Sequence, residues 1–309
     1  MNPSVIKHLT IVKSPFNLKH HSLYQRWRDW KLKNYPTSFD ELSIKIKDPR
    51  RLSPQEYEAI LQRCQKTNMA IYISDSHDDP DRRIPHDLAK QFGLNKLNYN
   101  WLGDKDGLTS VSHVKDEKKR RFIPYSDLAI QWHTDGYYNA ENKQIYGMLL
   151  HCVRSAIWGG ENALLDPEIA YILLREQNPN YIRALMAKDV MTIPARLKDN
   201  RIVRKQEIGP VFSISPKTGN LHMRYTVRKQ HIIWKKDRFT REALEALTAL
   251  LKGHSTYIFR GRLEPGMGLI SNNVLHNRSR FKDTASYSRL LYRARYFDRI
   301  ADTDVTLLS

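Results

Sequence analysis

Short strand-like segments recur along the chain, and they limit its possible folds more than any other feature of the sequence. These apolar or alternating runs, rich in β-branched and aromatic residues, cover 69–73, 144–153, 211–215, 222–227, 256–260, 268–271 and 287–297. Many strands with few helices predict a mainly β fold with peripheral helices, a sandwich or barrel rather than a doubly wound sheet. Because the sequence lacks internal repeats and linker-like tracts, we expect one domain over residues 1–309.

The predicted helices carry recognisable start signals. Segment 53–64 opens with Ser-Pro-Gln-Glu, the pattern of an N-cap, a first-turn proline and a capping-box glutamate. Asp-Pro-Glu likewise opens a helix over 166–176, and Thr240 is expected to cap a third helix that continues to residue 251. Between two predicted strands, 217–220 reads Lys-Thr-Gly-Asn, which predicts a hairpin turn whose glycine takes a positive φ.

The chain is strongly basic, and the excess is concentrated. Lys and Arg number 51 against 33 Asp and Glu, a net charge of +18. Half of this excess lies in segment 196–238, where 12 Lys and Arg face 3 Asp and Glu. A solvated face, a site that attracts a small acidic molecule, and a nucleic-acid or membrane surface all remain compatible with this distribution.

Two further features bear on location and chemistry. No run approaches the length of an apolar membrane span, and the start of the chain has no signal-peptide pattern, so we expect a cytoplasmic protein without membrane insertion. Cys64 and Cys152 are too few for a disulfide framework or a thiolate metal site and are expected to be buried hydrophobes. The sequence carries no signal for oligomeric state.

The segment 128–136 is the most informative about chemistry. It reads Leu-Ala-Ile-Gln-Trp-His-Thr-Asp-Gly, so a strand leads into His133 and Asp135, two metal-binding side chains on the same face. Imidazole and carboxylate suit Fe(II), and a second histidine would complete a facial triad that leaves open positions on the metal. Another His-x-Asp pair, at 77–79, lies in a polar stretch with no apolar flank and is not expected to bind metal.

A second constellation lies far downstream. Segment 266–279 gives an apolar strand, two asparagines and then His276 with an arginine nearby. In the following strand Arg289, Arg293 and Arg295 share one face, where like charges are tolerated only if they are solvated or neutralised by anions. An arginine fork matched to a carboxylate is the functional interpretation of this face.

The order of these residues resembles a known family. His133-x-Asp135, then His276 after 141 residues, then Arg289 thirteen residues later are similar to the taurine dioxygenase-like (TauD/TfdA) group of Fe(II)/2-oxoglutarate-dependent oxygenases. The resemblance extends from about residue 121 to 299. It implies a double-stranded β-helix (jelly roll), with residues 1–100 packing on this core and a basic, substrate-reading insert within 136–275.

The resemblance also implies roles for individual residues. His133, Asp135 and His276 would be the iron ligands, and Arg289 would bind the distal carboxylate of 2-oxoglutarate. Asn162, in Gly-Gly-Glu-Asn, stands where relatives have a threonine that touches this cosubstrate, and an amide can also donate to a carboxylate. The candidate substrate contacts are Arg293, Arg224 and Tyr225.

The implied reaction uses Fe(II), 2-oxoglutarate and O2. Oxidative decarboxylation of 2-oxoglutarate yields succinate and CO2, and a C–H bond of a small, acidic substrate is hydroxylated or otherwise oxidised. Family members that halogenate replace the carboxylate ligand with a small residue, so the presence of Asp135 favours hydroxylation or a related oxidation.

Two alternatives stay open at this point. A nucleic-acid demethylase of the AlkB type also has His-x-Asp and a distal histidine, and Arg289 and Arg295 match its spaced arginine pair. The long interval between Asp135 and His276 speaks against that compact relative. A non-catalytic jelly-roll binding protein is the other alternative, although nothing structural requires so many polar side chains to converge in a barrel.

Overall fold

The computed structural model describes most of the chain, namely residues 12–99, 103–112, 125–198, 201–228, 232–284 and 286–305. The helices are α1 (His21–Leu32), α2 (Pro54–Thr67), α3 (Arg83–Gln91), α4 (Pro167–Gln177), α5 (Pro179–Leu185) and α6 (Arg238–Lys252), with short 3-10 helices at Asp40–Leu42 and Glu141–Lys143. Within the described stretches, no helix has both the length and the apolar character needed to cross a membrane.

The strands follow one another closely in the sequence. They are β1 (Ser43–Ile46), β2 (Met69–Ser74), β3 (Thr109–Val111), β4 (Ile130–His133), β5 (Gly147–Arg154), β6 (Trp158–Gly159), β7 (Asn162–Leu165), β8 (Met191–Ile193), β9 (Arg196–Lys198), β10 (Arg201–Arg204), β11 (Glu207–Gly209), β12 (Phe212–Ile214), β13 (Leu221–Met223), β14 (Ile233–Trp234), β15 (Phe259–Gly261), β16 (Met267–Ser271), β17 (Leu275–Arg278), β18 (Phe281–Lys282) and β19 (Leu290–Tyr296).

Two sheets form the barrel. The larger has the order β1-β2-β16-β5-β19-β3 and the smaller the order β15-β7-β17-β4. One buried apolar cluster joins them, with Leu164 and Leu275 from the smaller sheet and Leu150 and Leu269 from the larger. A second cluster lies between the larger sheet and helices α2 and α3. The mainly β architecture predicted from the strand-like segments is confirmed.

The predicted start of α2 is also confirmed. The Ser53 hydroxyl accepts from the Glu56 N–H at 3.3 Å, and the Glu56 carboxylate accepts from the Ser53 N–H at 2.7 Å. These two bonds satisfy amides that the first turn of a helix otherwise leaves unpaired. After α2 ends, β2 pairs with β1 on one side and β16 on the other, so the N-terminal part of the chain supplies one edge of the larger sheet.

A long connection separates two neighbouring strands of the smaller sheet. β7 and β15 pair directly, yet the chain between them contains α4, α5, α6 and the short strands β8 to β14. The basic segment 196–238 lies in this insert. Its hairpin between β12 and β13 turns where predicted, with Gly219 at φ 74°.

Two details of the insert differ from the prediction. Thr240 is not the N-cap of α6, because the helix begins at Arg238 and the carboxylate of Asp237 accepts from the Thr240 N–H at 2.9 Å. The strand expected over 222–227 ends at Met223. After β13 ends, Thr226 forms an antiparallel bridge with His133, so the chain that follows the hairpin pairs with the edge of β4.

The alternation predicted for β19 is observed. Leu291 joins the core between the two sheets, whereas Tyr292 and Ala294 join the outer cluster beneath the helices. Arg293 and Arg295 therefore point into the barrel, toward the smaller sheet. Cys64 and Cys152, both buried and unpaired, pack as the composition suggested.

Candidate metal and cosubstrate site

Strand pairing brings the two predicted histidine ligands together. β4 and β17 are antiparallel neighbours in which His133 and His276 are direct partners, and their ring centroids lie 4.3 Å apart. Asp135 follows two residues after His133. One ligand atom from each of these three residues lies within 4.8 Å of the others, and the described stretches contain no second such cluster.

Both imidazoles are oriented by the backbone. Nδ1 of His133 donates to the carbonyl of Gln131 at 2.9 Å, and Nδ1 of His276 donates to the carbonyl of Val274 at 2.9 Å. A carbonyl only accepts, so each ring carries its proton on Nδ1 and keeps the Nε2 lone pair free. This is the arrangement expected of metal-binding histidines.

A side-chain amide holds the backbone at Asp135. The Asp135 N–H donates to Oδ1 of Asn273 at 2.8 Å, and Nδ2 of Asn273 donates to the Asp135 carbonyl at 2.9 Å and the Ile145 carbonyl at 2.7 Å. The next residue, Gly136, has φ 70°, and a Cβ there would meet the Ile145 side chain at 2.5 Å. A side chain at this position would therefore strain the turn that follows Asp135.

The Asp135 carboxylate faces two arginines. Oδ1 lies 3.3 Å from Nη1 of Arg293 and 3.8 Å from Nη1 of Arg295, whereas Oδ2 is buried with no hydrogen-bond partner among the described residues. Burial raises the pKa of this carboxyl, but the two guanidinium groups outweigh burial and hold it below its usual range. Asp135 is therefore ionised at neutral pH, with one oxygen unused.

The histidines are neutral at physiological pH. Burial, with a contribution from neighbouring His276, lowers the pKa of His133 to about 3, and burial also lowers the pKa of His276. Neutral imidazoles and an ionised carboxylate are the protonation states that metal binding requires.

The predicted cosubstrate residues Arg289 and Asn162 are also buried. Arg289 is 4 % exposed, its ζ carbon lies 5.1 Å from the ring centroid of Phe281, and its Nη1 has no partner among the described residues. Burial lowers the pKa of Arg289 to about 10, so the side chain remains a cation at pH 7. Asn162 begins β7 and donates from Nδ2 to the Asn277 carbonyl at 3.0 Å, while its buried Oδ1 is unpaired.

The remaining candidates are not placed alike. Arg224 is buried, and its guanidinium donates to the backbone carbonyls of Tyr137, Met191 and Glu207. Tyr225 is buried in the apolar core, with its ring 6.2 Å from that of Trp234. Neither side chain converges on the His133 cluster, unlike Arg293.

These observations test whether the residues present fit iron and 2-oxoglutarate. Two imidazole nitrogens and one carboxylate form the donor set of a facial triad. An unpaired carboxylate oxygen on Asp135 and an unpaired buried guanidinium nitrogen on Arg289 are polar atoms that a folded protein rarely leaves unsatisfied. A metal and a dicarboxylate would satisfy them, so the residues fit the two groups.

The fold and the clustered residues define a class of protein, the mononuclear non-haem iron oxygenases with a jelly-roll core. The family model of the taurine catabolism dioxygenase TauD, TfdA family matches residues 31–295, and the chain belongs to this family. It is an Fe(II)- and 2-oxoglutarate-dependent dioxygenase that acts on a small substrate. The AlkB-type and non-catalytic alternatives receive no support from these relatives.

Several known proteins are similar to this chain. A uridine-5'-phosphate dioxygenase from Amycolatopsis sp is 27% identical over 274 residues, which cover 83% of this chain and 96% of that protein. The structure of AAD-2 in complex with Mn(II) and N-oxalylglycine superposes with TM-score 0.59 at 14% identity, covering 84% and 96% of the two chains. An asparagine oxygenase in complex with Fe(II), 2S,3S-3-hydroxyasparagine and succinate gives TM-score 0.55 at 14% identity, covering 88% and 89%.

Two residues that shape the site were not found from the sequence. Asn273 clamps the Asp135 backbone, and the only hint was an Asn-Asn pair before the strand of His276. Tyr138 accepts a hydrogen bond from Nη1 of Arg295 at 3.1 Å, and no pattern marked it. Both contacts depend on the register between segments more than 100 residues apart, which a single sequence does not reveal.

Proposed function

We propose that His133, Asp135 and His276 hold the ferrous ion and that Arg289, with Asn162, binds the distal carboxylate of 2-oxoglutarate. The observation that carries this proposal is the cluster of two Nε2 lone pairs and one unpaired carboxylate oxygen described above. When bound, iron and 2-oxoglutarate supply the oxidising chemistry that converts O2 and a substrate C–H bond into a hydroxylated or otherwise oxidised product, succinate and CO2.

We further propose that the substrate is a small anion and that Arg293 contacts its acidic group. The guanidinium groups of Arg293 and Arg295 face the buried carboxylate of Asp135, and the buried Arg289 adds a third cation immediately before the strand that carries them. A divalent metal and the dianion of 2-oxoglutarate cancel each other in charge. The remaining excess is positive, and buried positive charge is costly unless an anion accompanies it.

The basic insert supports the same proposal. The guanidinium carbon of Arg204, on β10, lies 6.0 Å from the ring centroid of Tyr138, whose hydroxyl accepts from Arg295. The insert therefore brings a further cation to the side of the site where Arg293 and Arg295 lie. Arg224 donates to backbone carbonyls and Tyr225 packs in the apolar core, so neither is included among the proposed substrate contacts.

The related dioxygenase from Amycolatopsis is named for a nucleoside phosphate. We therefore place phosphate monoesters, with nucleoside 5'-monophosphates first, at the head of the candidate substrates, followed by sulfonates, phosphonates and carboxylates. A phosphate group suits a cluster of arginines because guanidinium binds it through paired N–H groups.

The test is substrate-dependent release of succinate by the Fe(II)-loaded protein, measured across this panel together with neutral and cationic amino acids. We expect an anionic compound to raise succinate release above the substrate-free rate and a His133→Ala variant to abolish the increase. Stimulation by neutral or cationic compounds alone would contradict the proposed substrate class. Full stimulated activity in the His133→Ala variant would contradict the proposed ligands.

A further inference from the structure

A second buried arginine lies beside the proposed cosubstrate residue. Arg278 ends β17, is 4 % exposed, and its ζ carbon lies 4.7 Å from the same Phe281 ring that Arg289 contacts. Sequence reasoning singled out Arg289 in this region and assigned no role to Arg278.

The geometry of β17 directs the side chain of Arg278 into the barrel. His276 and Arg278 are two residues apart on β17, so their side chains share a face. Across the strand pair, Arg278 is the direct partner of Asn162 on β7, and directly paired residues also share a face. Two residues span about 7 Å along a strand, so the backbone positions of His276 and Arg278 are separated by about the length of a five-carbon diacid. The register shift between these two residues lies in the pairing with β4, whereas the pairing with β7 is regular.

The guanidinium of Arg278 is only partly used. Nη2 donates to the carbonyl of Ser126 at 2.9 Å and also to the carbonyl of Leu128, but Nε and Nη1 are buried with no partner among the described residues. Nη1 of Arg289 is unpaired as well. The two neighbouring arginines therefore carry three nitrogens whose N–H groups have no hydrogen-bond partner, and folded proteins rarely leave buried donors unsatisfied.

No protein carboxylate completes this arrangement. The charges of Asp127 and Asp283 act on Arg278, and that of Asp283 also acts on Arg289, but neither carboxylate forms an ion pair with these arginines within the described residues. Oδ2 of Asp283 accepts from the backbone N–H of Arg289 at 3.0 Å, and its Oδ1 is buried without a partner. The unpaired guanidinium N–H groups therefore remain available to a further anion.

We propose that Arg278 binds the distal carboxylate of 2-oxoglutarate jointly with Arg289, so that two guanidinium groups hold the cosubstrate in this chain. The inference rests on the proposed function, because it takes His276 as a metal ligand and Arg289 as a cosubstrate residue. Arg278 would add its N–H donors to those of Arg289 and Asn162, so that the two guanidinium groups rather than the amide supply most of the hydrogen bonds to this carboxylate.

The experiment compares two metal-binding probes that differ in the distal carboxylate. N-oxalylglycine carries this group, whereas oxalate can chelate the metal but has nothing to reach Arg278. Binding of each probe to the full-length, Mn(II)-loaded protein is measured by isothermal titration calorimetry. The proteins are the wild type, Arg278→Met, Arg278→Lys and the matched control Arg280→Met, whose side chain is exposed on the same segment.

We expect Arg278→Met to bind N-oxalylglycine about 10- to 100-fold more weakly, the effect of losing hydrogen bonds to a charged group, and to bind oxalate like the wild type. The affinity of Arg278→Lys for N-oxalylglycine should lie between those of the wild type and Arg278→Met, because lysine keeps the charge but lacks the planar guanidinium group. Arg278→Lys also serves as the test variant if Arg278→Met does not fold. Arg280→Met should match the wild type with both probes.

Unchanged binding of N-oxalylglycine by the Arg278 variants would overturn the proposal. Equal weakening of both probes would also overturn it, because Arg278 would then act through the Ser126 and Leu128 carbonyls, in the segment that precedes β4. If the wild type binds Mn(II) but neither probe, the proposed cosubstrate site itself fails, a result distinct from either of these.

Discussion

Replacing Arg293 with methionine separates substrate recognition from cosubstrate binding. The change keeps much of the length of a side chain that is 11% exposed and removes its charge. If Arg293 contacts the acidic group of the substrate, turnover falls while binding of 2-oxoglutarate persists.

The structure gives the scale of the expected loss. Nη1 of Arg293 and Oδ1 of Asp135 lie 3.3 Å apart. This separation shows how closely the guanidinium meets an anion, and an acidic group of the substrate held equally close would be attracted by about 5 kcal/mol at an effective dielectric constant of about 20, an upper limit before desolvation. Hydrogen bonds to charged groups contribute about 1.5–3 kcal/mol net, and we therefore expect kcat/KM for the anionic substrate to fall about 10- to 150-fold.

The assay measures substrate-stimulated succinate release and, separately, calorimetric binding of 2-oxoglutarate to the anaerobic Mn(II) form. Arg26→Met, which removes an exposed charge from α1, is the matched control and should behave as the wild type in both. Unchanged kcat/KM in Arg293→Met would remove Arg293 from the substrate site. Parallel loss of turnover and 2-oxoglutarate binding would refute the separation of roles.

Four further changes have defined outcomes. His276→Ala should weaken Mn(II) binding more than about 100-fold in an EPR titration because it removes one of three ligands, and near-normal affinity would contradict the assignment. Asn162→Leu should weaken N-oxalylglycine binding by less than about 10-fold if the arginines supply most of the donors, so a larger calorimetric loss would make Asn162 a principal contact. Burial lowers the pKa of His151 from 6.5 to about 4, so the unfolded chain takes up the proton first as the pH falls. Stability to urea should therefore decrease by up to about 3 kcal/mol between about pH 6.5 and pH 4, and His151→Gln should lack this contribution; identical pH slopes would contradict it. Asp237→Ala should lower the unfolding free energy by about 1 kcal/mol through loss of the α6 cap, and an unchanged urea midpoint would argue against that cap.

The proposed iron ligands could be predicted from the sequence because short local patterns contain them. A strand running into His133 and Asp135 places both side chains on one face, and His276 likewise follows an apolar strand. The direct pairing of His133 with His276 was not readable, because register is set by contacts between distant segments. For the same reason, the clamp on Asp135 by Asn273 emerged only from the structure.

Arginines were harder to sort than histidines. The alternation of β19 correctly placed Arg293 and Arg295 on one face. The pairing of β19 with β5 shifts in register between Leu290 and Leu291, next to Arg289, and a regular two-residue alternation does not predict such a shift. As a basic residue in the insert, Arg224 was predicted to contact an acidic substrate. Its guanidinium N–H groups instead donate to backbone carbonyls of three separate segments. Arg278 did carry a signal, since a residue two positions beyond a strand ligand shares its face.

The connection between β7 and β15 has a consequence for how this protein can diverge. The chain leaves the smaller sheet after Leu165 and returns at Phe259 on the adjacent strand, so the pairing of these strands does not depend on what lies between them. Within the described residues, only the part of the insert around Thr226 pairs with β4, so insertions or deletions elsewhere in it would leave the direct pairing of His133 with His276 in place. The insert can thus change in length and sequence on its outer parts while the proposed metal site keeps its geometry.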